Sequence, residues 1–133
     1  MNEPLFRRFA VGVRRFLSAS GDGSATCPIP IDALAAKAQV DEGHAILVDI
    51  REPSEIAVER IPGAVLLPLS RITAGASLEE AGGKAAIFLC RSGARTNLHA
   101  RRLQRLCVGE IYLLRGGITA WKAKGLPVAK GRN

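Results

Sequence analysis

Four short runs of consecutive apolar residues recur along the chain: Ile46-Leu47-Val48, Val65-Leu66-Leu67, Ala85 to Leu89, and Ile111 to Leu114. None alternates with polar residues, as a strand with one wet face would. Each therefore predicts a strand buried on both sides, the pattern of a parallel sheet. Helical segments fall around and between these runs. Ile31 to Val40 has Asp32 near its start, placed to cap the helix or favour its dipole. Pro53 to Arg60 opens on a proline in the first turn, where the missing N–H costs nothing. Arg95 to Leu106 sets Thr96, Ala100, Leu103 and Cys107 on one face at i, i+4, i+7, i+11 spacing. Ile118 to Lys124 stops at Gly125, with Pro127 following. Alternating strands and helices predict an α/β layer fold built on a parallel sheet. No internal repeat is visible, and one domain, residues 27–133, accounts for everything after Thr26.

The first 26 residues follow a different pattern. Taken as a helix over residues 5–17, they place Leu5, Phe6, Phe9, Val13, Phe16 and Leu17 within an arc of about 120°. Arg7, Arg8, Arg14 and Arg15 lie opposite. Such a segment fits peripheral membrane contact, a partner, a targeting presequence, or packing on its own domain. Ser18 to Thr26 reads as a small, polar linker. No stretch reaches the ~18 apolar residues that crossing a bilayer requires.

Length and composition narrow the function classes. A chain of 133 residues, 47% apolar and 23% charged, has room for one domain and its core, so neither disulfides nor a metal are needed for folding. Cys27, Cys90 and Cys107 are far apart, and neither His44 nor His99 joins them at metal-ligand spacing. A zinc site is not expected, nor is any cofactor. Sparse, unpaired cysteines suit a reducing, cytoplasmic setting in which a thiol is free to react. The net charge is +7, and its excess is uneven: Ala81 to Gly109 carries no acidic residue but includes Lys84, Arg91, Arg95, Arg101, Arg102 and Arg105. The run lacks interleaved aromatics and any recognisable nucleic-acid module, so nucleic acid is not an expected partner. It reads either as a solvated face or as a positive field around Cys90 that draws in anions.

The chemistry is concentrated in Cys90-Arg91-Ser92-Gly93-Ala94-Arg95-Thr96, where a predicted buried strand gives way to a helix. In open α/β sheets ligands bind at that carboxyl edge. A cysteine followed by a tight turn would sit in a cup of backbone N–H groups, with Gly93 supplying the dihedrals that the turn needs. The helix start, Arg91 and Arg95 add positive potential, which favours a nucleophilic thiolate without a histidine base. A small buried core cysteine is the alternative for such a position. Cysteine phosphatases have an arginine six places after the cysteine, where this chain has Thr96. The shorter loop ending at Arg95 predicts a smaller pocket, better suited to one extra sulfur atom than to a tetrahedral phosphate.

Four blocks in order resemble the rhodanese family over nearly all of Ile29 to Val128. Leu47-Val48-Asp49-Ile50-Arg51-Glu52 resembles its first motif, followed by Glu55 and Ile61-Pro62-Gly63-Ala64. Cys90-Arg91-Ser92-Gly93-Ala94-Arg95 resembles the six-residue sulfurtransferase loop. Leu114-Arg115-Gly116-Gly117-Ile118 with Trp121, then Gly125-Leu126-Pro127-Val128, resembles the closing motif. Where many members have Gly-His before Ile-Pro, this chain has Glu59-Arg60.

The resemblance implies a small parallel sheet with helices on both faces. It makes Cys90 the nucleophile that takes sulfane sulfur from an anionic donor such as thiosulfate, holds it as a persulfide, and passes it to a thiol, to cyanide, or to a protein acceptor. The N–H groups of Arg91, Ser92, Gly93, Ala94, Arg95 and Thr96 would hold the persulfide, and Arg91 and Arg95 would orient the donor. Asp49 would orient a neighbouring arginine or the loop. Arg51 is divided between donor binding and a structural ion pair. Trp121, His99 and Cys107 read as core, surface and core respectively, and Cys27 as a linker residue. A persulfide carrier without small-molecule turnover and a small phosphatase or arsenate reductase are the competing readings.

Overall fold

The computed structural model describes residues 28–79, 81–107 and 109–131. The N-terminal amphipathic helix, the linker and Cys27 lie outside the described residues. Thirteen elements run in the order β1 (Ile29–Ile31), α1 (Ala33–Asp41), β2 (Ala45–Asp49), α2 (Pro53–Val58), β3 (Glu59–Arg60), β4 (Val65–Leu66), α3 (Leu69–Thr73), β5 (Ala85–Leu89), α4 (Ala94–Leu98), α5 (Ala100–Gln104), β6 (Ile111–Leu114), α6 (Gly117–Ala123) and β7 (Ala129–Lys130).

The apolar runs form the sheet. Its strands lie in the order β1-β6-β5-β2-β4, all parallel, so β5 is central with β2 and β6 as its neighbours. The strands at 45–49, 85–89 and 111–114 bury both faces, and each face has its own core; the run at 65–67 does not, because it supplies only the two-residue edge strand β4 and leaves Leu66 43% exposed. Along β5 the side chains divide by parity. Ala86 and Phe88 join Val48, Leu113, Ile72 of α3 and Leu103 of α5 in one cluster. Ile87 and Leu89 join Leu47, Leu114, Ala33 and Ala36 of α1, and Ile118 and Trp121 of α6 in the other. The fold is thus α/β with helices on both faces of a parallel sheet, as the resemblance implied.

Local chemistry sets the helix boundaries. The Asp32 carboxylate accepts from the Ala35 N–H at 2.9 Å and starts α1. The helix expected over residues 53–60 stops at Val58, because Glu59 and Arg60 turn extended and pair antiparallel with Lys130 and Ala129. The helix expected over residues 95–106 is broken at His99 into α4 and α5. Thr96 Oγ1 and Asn97 Nδ2 both donate to the Gly93 carbonyl, at 3.1 and 2.7 Å. Side chains that bond back to the preceding turn bend helices. The inward face read from the sequence survives the bend: Thr96 and Leu103 are buried, and Ala100 and Cys107 are half-buried. Burial pushes the Cys107 thiol up from its ordinary value. Trp121 is buried, and its indole N–H donates to the Pro127 carbonyl at 2.8 Å, which ties α6 to the chain end.

In a parallel sheet all carboxyl ends share one edge. The residues that follow β2, β5 and β6 therefore meet there, on adjacent strands, with Asp49 of β2 directly beside Leu89 of β5.

Phe88 is fully buried at the centre of the sheet. Phe88→Ala should lower the unfolding free energy by about 3–5 kcal/mol. Urea unfolding should show this as a lower midpoint with an unchanged slope.

Candidate active site

Cys90 is the first residue beyond the central strand. It is 1% exposed and belongs to the core cluster, while Arg91 and Ser92 after it are exposed. The sulfur thus lies below a rim formed by the next two residues. The Gly93 N–H donates to Cys90 Sγ at 3.1 Å. Gly93 reaches this position with φ +101°, in the left-handed region that side chains disfavour.

What makes the loop a cup is where its carbonyls go. The Cys90 carbonyl accepts from the Ile118 N–H at 2.9 Å, and the Arg91 carbonyl from the Thr119 N–H at 3.1 Å. The Gly93 carbonyl takes Thr96 Oγ1, Asn97 Nδ2 and, at 3.1 Å, the Asn97 N–H. In a planar trans peptide the N–H points opposite to the C=O. Fixing those carbonyls therefore turns the N–H groups of Arg91, Ser92 and Ala94 the other way. Among the described residues none of these three N–H groups meets an acceptor. Such groups can bind an anion on or near the sulfur.

The glycine pair after β6 makes this possible. Gly117 has φ +59°, and a Cβ there would stand 2.5 Å from the Arg91 carbonyl oxygen and closer still to that of Cys90. The missing side chain is what lets the start of α6 approach and grip the loop. The sequence marked these glycines as a turn. Their role as a seat for the loop depends on two segments 27 residues apart meeting across neighbouring strands, which no local pattern shows.

The charged residues divide into two pairs. Asp49 is fully buried, and its carboxylate accepts from Arg51 Nε at 3.0 Å, Arg51 Nη2 at 2.8 Å and the Arg51 N–H at 3.0 Å. Arg51 Nη2 also donates to the Glu59 carbonyl at 2.8 Å. Burying that carboxylate unpaired would cost several kcal/mol, about 3–5 by the effect of removing one partner of a buried pair. Asp49 and Arg51 thus form a buried ion pair, and the Arg51 guanidinium also reaches the Glu59 carbonyl. The Glu59-Arg60 departure from the family pattern also finds a place: Glu59 Oε2 pairs with Lys122 at 2.6 Å.

Arg95 forms the second pair. Its Nη1 and Nη2 donate to Glu55 Oε2 and Oε1 at 2.7 and 2.8 Å, a fork that joins α4 to α2. Glu55 also accepts from the Glu52 N–H at 3.1 Å, at the start of α2. The hydrogen bonds from Arg95 hold the Glu55 carboxyl at about 2, well below the usual carboxylate range. Arg95 is held above its ordinary value, first by its hydrogen bonds to Glu55 and then, against the opposing effect of burial, by the charges of Glu55, Cys90 and Asp49. Arg95 is thus near enough to feel the charge of Cys90 while two of its five donors are held by Glu55. Thr96, the position of the phosphatase arginine, is fully buried with its hydroxyl on Gly93. Lys84 belongs elsewhere: it precedes β5, at the opposite edge of the sheet from Cys90.

A parallel α/β sheet with a cysteine cradled by backbone N–H groups at its carboxyl edge defines a class of thiol-bearing anion sites. The sequence profile of the rhodanese-like domain matches residues 32–124, and the chain belongs to that family. A protein named sulfurtransferase from Allochromatium vinosum is 41% identical over 88 residues, which covers 66% of this chain and 81% of that one. An uncharacterised Synechocystis protein is 42% identical over 66% of this chain; the chain spans 49% of its length. The crystal structure of a rhodanese-related protein from Thermoplasma volcanium superposes with a TM-score of 0.66 at 25% identity, over 76% of this chain and 97% of that one. Among the described residues no helix is long and apolar enough to cross a membrane.

Two outcomes test this geometry. Gly117→Ala should lower stability by about 2–4 kcal/mol, because the left-handed backbone and the clash with the loop add. Gly125→Ala should cost only about 1–2 kcal/mol, since it has φ +75° but open space around it; denaturant melts compare the two. The Glu55–Arg95 pair contributes stability that is complete above the ordinary carboxyl value of 4.5 and is lost as pH falls towards about 2. Glu55→Gln should therefore be less stable than the parent by about 1–2 kcal/mol at neutral pH. The gap should close on acidification to pH 2, read as converging melting temperatures.

Proposed function

We propose that the protein is a sulfurtransferase that carries sulfane sulfur as a persulfide on Cys90. The observation that carries this reading is the Cys90 thiol resting under the Gly93 N–H, with the N–H groups of Arg91, Ser92 and Ala94 turned from their bound carbonyls and open to an anion. Family membership and the sulfurtransferase name of the Allochromatium relative support the same reading.

The reaction runs in two displacements. The Cys90 thiolate attacks the outer sulfur of thiosulfate, the sulfur–sulfur bond of the donor breaks, and its electron pair leaves with sulfite. The outer sulfur remains on Cys90 as a persulfide anion, which the loop N–H groups stabilise as preorganised donors. A thiolate or cyanide then attacks that terminal sulfur, leaving as a new persulfide or as thiocyanate and returning the Cys90 thiolate. No external oxidant enters. Arg91, exposed on the rim, attracts the dianionic donor, and Arg95 adds positive potential from its place beside Glu55. The role of Arg51 is to hold the buried Asp49 and the start of β3 rather than to touch the donor.

The same features disfavour phosphoryl chemistry. A phosphate needs a guanidinium to fork its equatorial oxygens, and the position where cysteine phosphatases supply it is a buried threonine bonded to the loop itself.

Intact-protein mass spectrometry tests the proposal. Thiosulfate should add one sulfur, about 32 Da, to the wild-type chain and none to Cys90→Ser, and cyanide should remove it. Absence of any gain on wild type, with turnover of an aryl phosphate instead, would sink the sulfur reading.

A further inference from the structure

One face beside the loop is left unused by this chemistry. Leu98 is 78% exposed, the most exposed large apolar side chain among the described residues. It stands at the end of α4, which begins directly after the Cys90 loop. A five-residue helix advances only about 7 Å, so Leu98 remains close to the rim. Leu98, Asn97, His99, Arg101, Arg102 and Arg105 line an open depression of about 400 Å3. The bend at His99, caused by the back-bonding of Thr96 and Asn97, gives α4 and α5 separate axes around it.

The three arginines of this depression are exposed and form no ion pair among the described residues. The chain contains no carboxylate from Ala81 to Gly109 to neutralise them. Arg91 and Ser92, on the loop that precedes α4, are exposed as well. The patch therefore sets one apolar side chain among unpaired guanidinium groups, on the two helices that follow the buried Cys90.

We propose that this face docks an acidic protein whose own thiol, on a protruding segment, reaches into the cup and exchanges sulfur with Cys90. The inference rests on the persulfide reading and names the partner's chemistry. Guanidinium groups recognise carboxylates by paired donors, which accounts for the acidic partner. Leu98 offers an apolar contact beside the arginines, which favours a protein over a simple polyanion. His99 is the one ring in the lining, short of the row of aromatic platforms on which successive unpaired bases stack. A lone leucine is not the apolar face that holds a helix in a membrane surface. Burial of the sulfur demands a protruding thiol: a flat surface would stop at the rim.

Docking then has a reaction consequence. The acceptor thiol is held over the Cys90 persulfide, its thiolate attacks the terminal sulfur, and the Cys90 thiolate leaves. In the reverse direction the partner's persulfide loads Cys90 by the same bond exchange.

The test uses a labelled peptide of about a dozen residues with one cysteine, one leucine and four glutamates, beside its glutamine counterpart. Binding is read by fluorescence anisotropy and sulfur transfer by mass. At low salt the glutamate peptide should bind wild type about ten-fold more tightly than the glutamine peptide, and the difference should shrink as salt rises. Arg101→Gln with Arg102→Gln should abolish most of that preference, and Leu98→Ser should weaken both peptides. The matched control, Lys124→Gln with Lys130→Gln, removes the same charge from another face and should change nothing. Transfer from loaded protein to the glutamate peptide should follow the binding, while transfer to uncharged 2-mercaptoethanol stays the same in every variant. Equal binding of the two peptides, or equal loss in the lysine control, overturns the proposal. So does a single-stranded RNA or an anionic vesicle that displaces the glutamate peptide and binds more tightly through the same arginines. If wild type takes no sulfur from thiosulfate yet binds the glutamate peptide through Arg101, Arg102 and Leu98, the donor reading fails and the docking face stands.

Discussion

The site depends on the fixing of three peptide carbonyls. Those of Cys90, Arg91 and Gly93 are each held by partners outside the cup: two by the first N–H groups of α6 and one by the side chains of Thr96 and Asn97. A loop of five or six residues beyond a strand has many conformations, and most would present a mixture of donors and acceptors to the sulfur. Here the acceptors are already occupied, so what faces inward is one sign of partial charge. Such preorganisation is worth more than a flexible ring of donors, because nothing need reorient when negative charge arrives. The requirement passes outward to Gly117, whose lack of a side chain lets α6 come close enough to make the grip.

The charges around the cup follow a division of labour. Asp49 and Arg51 satisfy each other where water cannot, and the pair welds the end of β2 to the start of β3. Glu55 and Arg95 do the same between α2 and α4 nearer the surface. Each guanidinium spends part of its donor fork on a carboxylate, Arg51 through Nε and Nη2 and Arg95 through one N–H on each Nη, while its positive charge adds to the local potential. On the proposed reading, direct contact falls to the backbone N–H groups, which bind modestly and let a product go. A site that must pass sulfur on, and not store it, is served by that restraint.

Much of the fold was legible because its signals are local. The apolar runs at 46–48, 85–89 and 111–114 became β2, β5 and β6 because a strand buried on both faces has no polar position to disguise it. Asp32 announced α1 by a cap confined to four residues. The elements that escaped are short or non-local. β3 and β7 are two residues each and exist only because they find each other across some 70 positions. The break at His99 was hidden, because an inward stripe is kept on both sides of the bend. Within the site, Cys90 and Gly93 were readable from their turn. The Glu55–Arg95 fork and the close approach of Gly117 join segments that only the folded sheet brings together.

The outer strand of the sheet has a consequence for how copies of the domain can meet. In β1 the Ile31 carbonyl faces inward and receives the Arg115 N–H, so the groups of the middle residue face outward. That residue is Pro30, which has no N–H to offer. At the other end, β4 is only two residues long. One border of the sheet therefore lacks a donor and the other lacks length, so neither can template a further strand. Among the described residues, then, the five-stranded sheet offers a second copy no edge on which to lengthen it, and contact between copies at those borders falls to side chains.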